Sequence, residues 1–379
     1  MFHLRRLFSV AATALLLLAC GHQPALEAVS SLTNSHWPSA QLRLLGTEII
    51  PHDLQVAGSP VGGLSGLDYD AARGVFYALS DDRSEYSAAR FYTLRWPIDS
   101  QGVGAVKVQG LHTLKIPSGQ NYPRLGEQSA QNPDVPDPEG LRFDASTQSL
   151  FWTSEGNRAR AMPPLLRQMA LDGSHQRSFS LPANLTEIQP SDRGPRNNLA
   201  LEGVAISPDG ASLWAAMESS LAQDGQRGSA PGPVRITQWH KDSGAVLRQL
   251  AYQPEAVGLQ GVFGENSVSD ILSWDTRYLL VLERAFNPWT GIKLRLFLAD
   301  THSGSNVLDV AALQAGAYQP MEKKLLLDFA DSRLRPLDNI EGMSWGPLLS
   351  NGRRSLVFVT DNNFSRLQLT QLSAFEVIL

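Results

Sequence analysis

The chain has 379 residues, of which 42% are hydrophobic and 18% charged, and it contains 31 glycines and 23 prolines. This composition favours a turn-rich all-β fold over a helical one, and the length suits either two average domains or one large one. The net charge of −5 and the lack of Lys/Arg-rich runs exclude a nucleic-acid-binding surface.

Residues 1–20 have the pattern of an export signal. A pair of arginines precedes an apolar run over residues 7–19, which is too short to span a bilayer as a mature helix. The run leads into Leu-Leu-Ala-Cys-Gly at residues 17–21, which resembles the lipobox of bacterial lipoproteins, where the cysteine is acylated. We therefore predict lipidation at Cys20 and anchoring to the cell envelope, on the periplasmic side of the outer membrane. An ordinary signal peptide that happens to contain a cysteine is the alternative.

Cys20 is the only cysteine in the chain. The rest of the chain therefore has no disulfide, no thiolate nucleophile and no metal site with cysteine ligands. Residues 21–40 are mostly polar and small, which predicts a flexible tether. We expect residues 41–379 to form one domain.

A two-strand pattern recurs five times in this domain. Each copy has a small or acidic residue before a Gly, an apolar strand, a turn, a second apolar strand and a closing acid, except that the degenerate fourth copy has Asp in place of the Gly. The copies begin at Ser65-Gly66, Glu139-Gly140, Glu202-Gly203, Ser269-Asp270 and Glu341-Gly342, and they close at Asp81, Glu155, Glu218, Glu283 and Asp361. The second residue and the closing acid are 15 residues apart in the first three copies, 13 in the fourth and 19 in the fifth. Successive copies start 74, 63, 67 and 72 residues apart, which leaves room for two more strands in each unit.

The remaining segments supply those strands. They are rich in β-branched, aromatic and leucine residues and are bounded by turn signals. Four antiparallel strands repeated radially predict an all-β fold, a β-propeller of five blades. Six blades are the alternative if residues 301–335 contain a divergent copy. Residues 41–51 are predicted to form a strand that completes the last blade and closes the ring, which removes two free sheet edges.

Two positions of the repeat are predicted to gather carboxylates on the propeller axis, because the innermost strand of each blade lines the central channel. The first position holds Glu139, Glu202 and Glu341, and the second holds Asp81, Glu155, Glu218, Glu283 and Asp361. Carboxylates gathered in one cleft repel one another unless they protonate or bind cations. We predict that these eight residues hold Ca²⁺, with Mg²⁺ as the alternative, because both ions prefer oxygen ligands.

The same acids allow a purely structural interpretation, in which they accept hydrogen bonds from backbone amides of the next blade and lock the blades together. Three arginines follow the second position by one to three residues, namely Arg83, Arg158 and Arg284. We predict that they either pair with the acids or bind the anionic group of a substrate.

Several strings resemble the phytase-like family described as "esterase-like activity of phytase". They are GGLSGLDYD at residues 62–70, YALSDDR at 77–83, DPEG at 137–140, LEGVA at 201–205, NIEG at 339–342 and TDNNF at 360–364. The resemblance covers residues 42–379 and implies phosphatase or esterase activity. It also implies calcium held by acidic clusters, although DPEG replaces the Asp-Asp-Pro-Ala motif of the well-studied β-propeller phytases.

These observations predict a metal-dependent hydrolase of phosphate or carboxylic esters that works outside the cytoplasm as a monomer. A small anionic ester is the expected partner, and Glu139, Glu202 or Glu341 is the expected metal ligand or general base. The sequence has no Gly-x-Ser-x-Gly elbow and no phosphate-binding P-loop. Two alternatives remain: a non-catalytic propeller that binds an envelope partner or glycan, and a lactonase-type propeller with one central divalent ion.

Overall fold

The repeated two-strand pattern forms the inner half of each of five four-stranded antiparallel sheets. The computed structural model describes residues 37–124, 126–127, 135–188, 192–225, 230–257 and 264–379. Within it, Pro38–Leu379 is one compact unit. The predicted signal, the lipidation site Cys20 and nearly all of the predicted tether lie outside the described residues. No described helix has the length and apolar character needed to cross a membrane.

The first strand of the chain, β1 (Gln41–Ile50), belongs to the last blade. A small hairpin of β2 (Gln55–Val56) and β3 (Ser59–Pro60) follows it. The first blade then contains β4 (Leu64–Asp70), β5 (Val75–Ser80), β6 (Arg90–Arg95) and, after a hairpin of β7 (Ile98–Asp99) and β8 (Gly102–Val103), β9 (Lys107–Thr113).

The other blades use strands that follow one another directly. The second blade contains β10 (Pro138–Asp144), β11 (Ser149–Ser154), β12 (Leu165–Ala170) and β13 (His175–Ser178). The third contains β14 (Leu201–Ile206), β15 (Ser212–Met217), β16 (Val234–His240) and β17 (Val246–Tyr252). The fourth contains β18 (Glu265–Ser273), β19 (Tyr278–Asn287), β20 (Gly291–Asp300) and β21 (Lys323–Asp328). The last contains β22 (Ile340–Trp345), β23 (Ser355–Thr360), β24 (Thr370–Ile378) and β1.

Helical structure is confined to three short segments in the described residues: α1 (Ala183–Thr186) and two 3-10 helices, Arg158–Arg160 and Phe329–Asp331.

The N-terminal strand closes the ring, as predicted. β1 pairs antiparallel with β24 from Gln41 opposite Ile378 to Ile50 opposite Thr370. The described structure has five four-stranded sheets, and residues 301–335 contribute to them only β21, the outer strand of the fourth blade. The alternative of six blades is therefore wrong.

The innermost strands meet around a narrow axis. β4, β10, β14, β18 and β22 each contact the next, and β22 contacts β4 again. A Cβ atom on the motif residue Gly66 would lie 2.5 Å from the carbonyl oxygen of Glu139, and one on Gly342 would lie 2.5 Å from that of Ser65. The glycine of the repeat is therefore required by the close approach of adjacent blades.

The fourth blade has Asp270 where the others have glycine, and this carboxylate closes the axis. Both of its oxygens accept hydrogen bonds from Arg142 Nη2, at 2.9 and 2.8 Å. The guanidinium also donates to the carbonyl oxygens of Leu67 at 3.0 Å and Ile271 at 2.6 Å. Arg142 and Asp270 are both buried. The inner strands therefore enclose a cup that opens at one end, rather than a continuous channel.

The hydrophobic core lies between neighbouring blades. One continuous cluster joins Phe151 of the second blade, Trp214 of the third and Val281 of the fourth. Another joins Tyr77 of the first blade to Trp152 of the second. Burial of side chains of this size stabilises the fold by roughly 1.5–3 kcal/mol each, so the packing between blades holds the strands that carry the axial side chains.

Candidate metal centre and active site

The first acidic position of the repeat is a β-bulge. In every blade the register between the first and second strands shifts at the same point. A bulge leaves a residue unpaired and redirects its side chain. The shifts fall at Ser65, Glu139, Glu202, Ser269 and Glu341. The Glu-Gly motif therefore encodes a bulge that turns a glutamate towards the axis in three of the five blades.

The second acidic position comes directly after the second strand in four blades. In each of them the backbone N–H of the acid donates to a carbonyl that precedes the innermost strand. The bonds are Asp81 to Gly63 (2.7 Å), Glu155 to Asp137 (3.0 Å), Glu218 to Ala200 (2.6 Å) and Asp361 to Asn339 (2.9 Å). These bonds hold the four carboxylates at equivalent places around the mouth of the cup.

The fourth blade departs from this pattern, and Glu283 does not lie in the ring. In the other blades, the acid directly follows the residue that pairs with the one before the bulge. In the fourth blade, Val268 precedes the bulge and pairs with Glu283. Arg284 therefore occupies the position that the acids have in the other blades. A shift of one residue turns a strand side chain to the opposite face. Glu283 accordingly accepts hydrogen bonds from Tyr252 Oη at 2.6 Å and Lys323 Nζ at 2.7 Å. The sequence prediction that placed Glu283 on the axis is wrong.

The mouth of the cup is a cavity of about 520 Å³ lined by both acidic positions. Around it, three groups of carboxylates are close together, and within each group the oxygen atoms lie within 4.8 Å of one another. The groups are Asp81, Glu341 and Asp361; Asp137, Glu139 and Glu155; and Glu155, Glu202 and Glu218. The structure thus brings together seven of the eight predicted metal ligands and adds Asp137, which sequence reasoning missed.

Burial raises the pKa of all eight carboxylates of these groups, and neighbouring carboxylates reinforce the shift in all of them except Glu341. Burial, reinforced by neighbouring carboxylates, raises the pKa of Glu139 and Glu202 well above the usual range. Burial also raises the pKa of Asp137 to about 6, although Arg83 opposes the shift. Burial and Glu341 raise the pKa of Asp361 to about 8. A cavity of this kind retains protons near neutral pH unless cations replace them.

Glu155 and Glu218 have partners in the next blade. The Glu155 carboxylate accepts a hydrogen bond from the backbone N–H of Ala200, and Glu218 Oε1 accepts one from Ser267 Oγ at 2.9 Å. The blade-locking role considered for the second position therefore has a geometric basis at these two residues.

Glu139 and Glu202, at the bulge position, differ in this respect. Their carboxylates accept no hydrogen bond from any side chain or amide in the described part of the chain, although both residues are buried. Asp137 Oδ1 is likewise buried without a hydrogen-bond partner among the described residues. Three of the clustered carboxylates therefore have unpaired acceptors, an arrangement that a bound cation would complete.

The three predicted arginines occupy different environments. Arg284 Nη2 lies 3.2 Å from Glu218 Oε1 and 3.3 Å from Glu341 Oε1, so this guanidinium offsets part of the acidic charge. Arg83 pairs with Asp137 through Nε at 2.8 Å, and its side chain is 40% exposed. No described residue accepts a hydrogen bond from the terminal nitrogens of Arg83, which are free to bind a ligand.

Arg158 lies in a 3-10 helix and is not brought to the cavity. Its Nη1 donates to the carbonyl oxygens of Arg193 at 2.9 Å and Pro195 at 2.7 Å. The predicted substrate-binding role therefore has no geometric support at Arg158.

These features define a class of protein: a five-bladed propeller whose axis is closed at one end and carries one acidic cavity at the other. The chain belongs to the phytase-like family described as "Esterase-like activity of phytase", whose model matches residues 59–364. No curated protein sequence matches the chain.

The chain is also similar, at low identity, to several solved structures. The catalytic domain of the GH62 α-L-arabinofuranosidase of Coprinopsis cinerea has a TM-score of 0.46 and 10% identity, covering 89% of this chain and 97% of that one. A gluconolactonase of Xanthomonas campestris has a TM-score of 0.34 and 10% identity, covering 90% and 99%. An exo-β-1,3-galactanase of Phanerochaete chrysosporium has a TM-score of 0.41 and 11% identity, covering 86% and 62%.

Proposed function

We propose that this protein is a metal-dependent hydrolase of carboxylic or phosphate esters, with the axial cavity as its active site. The observation that carries the proposal is the pair Glu139 and Glu202, buried carboxylates without a hydrogen-bond donor among the described residues. Buried carboxylates that lie close together repel one another, and a bound cation stabilises them in the ionised state. A ligand set made only of oxygen favours Ca²⁺, and Mg²⁺ fits less well because it demands a smaller, near-octahedral site.

The residues present fit such an ion. Glu139 and Asp137 would hold it together with Glu155, and Glu202 would do so from the adjoining group. The free Oδ1 of Asp137 supplies a ligand atom that the protein itself leaves unpaired. When bound, the ion polarises the ester oxygen and lowers the pKa of a water molecule.

We assign Glu341 the role of the general base that takes a proton from the attacking water, because two neighbours orient its carboxylate. Its Oε1 is held by Asn339 Nδ2 at 3.0 Å and by Arg284 Nη2 at 3.3 Å. A general base needs this kind of orientation by a neighbouring group. Arg83 would bind the anionic oxygen of the substrate through its free terminal nitrogens, since a guanidinium fork suits carboxylate and phosphate groups.

Metal binding and turnover in a pair of variants test the proposal. Glu202→Gln is expected to weaken Ca²⁺ binding by about tenfold or more and to abolish hydrolysis in a panel of p-nitrophenyl esters, p-nitrophenyl phosphates and lactones. Glu283→Gln is the matched control, because it removes a buried acid of the same repeat that lies outside the ring, and it should keep both properties. Isothermal calorimetry and initial rates with and without chelator provide the measurements.

Two results would contradict the proposal. One is a protein purified without chelator that binds neither Ca²⁺ nor Mg²⁺. The other is a metal-loaded protein with no turnover on any member of the panel, which would favour the non-catalytic binding propeller. Activity confined to lactones would instead assign the lactonase-type reaction.

We further propose that the enzyme is exported and lipid-anchored to the cell envelope through Cys20, and that it acts there as a monomer. The lipobox-like string after the apolar run supports this, together with the lack of any other cysteine. Cys20→Ser should abolish labelling by radioactive palmitate and move the protein from the membrane fraction to the soluble periplasmic fraction. A wild-type protein that is unlabelled and soluble would contradict the anchor.

A further inference from the structure

The hairpin of β19 and β20 is unusual among the blades and forms one wall of the axial cavity. Each of its strands has ten residues, whereas the second strands of the other four blades have six. The two strands remain paired as far as Asn287 opposite Gly291. The hairpin therefore extends beyond the level at which the second strands of the other blades end.

Strand alternation gives this hairpin two different faces. Phe286 follows Arg284 on the face that lines the axial cavity, and it pairs directly with Ile292, which lines the same cavity. The alternate residues Ala285, Trp289 and Lys293 line a separate cavity of about 600 Å³ on the other side. The hairpin thus presents a hydrocarbon patch to the acidic site and a different set of side chains to its other side.

Phe286 is 54% exposed, and no described aromatic ring packs on it. It lies two residues from Arg284, whose guanidinium contacts the acids Glu218 and Glu341. Two strand residues span about 7 Å. A substrate whose ester group lies among the acids would therefore bring an attached aryl ring, or a chain of about four to six carbons, against Phe286.

We propose that Phe286 and Ile292 form an apolar subsite for the acyl group, so that the substrates are esters whose acid part is apolar. The prediction that such esters are hydrolysed rests on the proposed function, whereas the prediction that Phe286 and Ile292 bind the apolar group does not.

The acyl-chain preference of the full chain tests this subsite. The wild type should hydrolyse p-nitrophenyl hexanoate with a higher kcat/KM than p-nitrophenyl acetate. Phe286→Ala should lower kcat/KM for the hexanoate by about tenfold and leave the acetate unchanged, whereas Phe286→Leu should preserve the preference. Trp289→Ala is the matched control, because it removes an exposed aromatic from the same hairpin on the other face. Equal losses on both esters in Phe286→Ala would show a structural role and overturn the subsite.

A binding measurement separates this inference from the proposed function. Calorimetry with benzylphosphonate and methylphosphonate on the Ca²⁺-loaded protein should show tighter binding of the benzyl compound, lost in Phe286→Ala. That result in a protein without hydrolytic activity would sustain the subsite and refute the hydrolase. Hydrolysis with no dependence on Phe286 would refute the subsite and sustain the hydrolase. Absence of both would refute both.

Discussion

At the scale of single residues, Gly63 determines where the first acid of the ring lies. It has a left-handed backbone with φ of +61°, and a Cβ atom there would overlap Asp81 Oδ1 and the ring of Phe364. Its N–H donates to Asn362 Oδ1 at 3.0 Å, and its carbonyl oxygen accepts from the N–H of Asp81 at 2.7 Å. No side chain at this position is compatible with the observed place of the Asp81 carboxylate.

Gly63→Ala should therefore destabilise the fold and also impair metal binding. Gly58 provides the control, because it too is left-handed (φ +79°) but a Cβ atom there meets nothing within 4 Å. Both substitutions should lower the free energy of unfolding by about 1–2 kcal/mol, because a left-handed backbone is unfavourable for alanine. Gly63→Ala should lower the free energy of unfolding by about 1–3 kcal/mol more, because the new methyl group displaces its neighbours. This variant should also bind Ca²⁺ more weakly, whereas Gly58→Ala should bind Ca²⁺ as the wild type does. Urea unfolding and Ca²⁺ titration provide the measurements, and equal effects in the two variants would contradict the argument.

Residues outside the repeat could not be found by comparing copies. Asp137 is the clearest case, because its equivalents in the first, third and last blades are Gly63, Ala200 and Asn339, none of which is an acid. The only signal was its position two residues before Glu139, in the string that resembles the phytase-like family. Its role depends on Arg83 and on the cavity, neither of which a repeat pattern encodes.

At the scale of elements, the register of the fourth blade was the feature that sequence comparison misjudged. Glu283 is an acid, like the closing residues of the other copies. However, Glu283 lies 13 residues after Asp270 and Arg284 lies 14 residues after it, so Arg284 is closer to the usual spacing of 15. Spacing was therefore the better guide, because strand pairing conserves position along the ladder rather than residue type. The consequence is a guanidinium in the ring, which offsets the charge of two neighbouring glutamates.

The length of the β19–β20 hairpin was also only partly predictable. Apolar residues indicated both strands, but the extension through Phe286 and Ile292 breaks the pattern of the shorter blades. An exposed Phe at a strand end is indistinguishable in sequence from one that packs in a blade. Only the alternation of faces in the folded hairpin shows which cavity it lines.

At the scale of the whole molecule, the architecture was predictable and the state of its charges was not. Blade number and ring closure follow from periodicity, since each unit must bury its faces against its neighbours and so repeats the same pattern. Which acids remain unpaired depends on backbone amides and side chains brought from other blades, as the contacts of Glu155 with Ala200 and of Glu218 with Ser267 illustrate.

The gathered carboxylates predict an unusual pH dependence for the metal-free protein. Burial raises the pKa of Glu218 to about 7 and that of Asp361 to about 8, whereas both groups titrate near pH 4 in an unfolded chain. The folded state therefore binds more protons between about pH 4 and pH 8, and the free energy of unfolding falls as the pH rises through this window. The hydrogen bond from Arg43 lowers the pKa of Glu376 to about 2. This group makes the free energy of unfolding rise with pH, but only at a lower pH than this window.

Thermal unfolding of chelator-treated protein at pH 5, 6.5 and 8 checks this expectation. Tm should fall by about 5–10 °C from pH 5 to pH 8, and saturating Ca²⁺ should restore it at pH 8, because an ion that binds only the folded state stabilises that state by mass action. Asp361→Asn should reduce the slope, since the neutral amide has no proton to lose. A Tm that rises from pH 5 to pH 8 in chelator would show that the ring acids are already ionised in the folded protein without metal, contrary to the charge balance argued for the cavity.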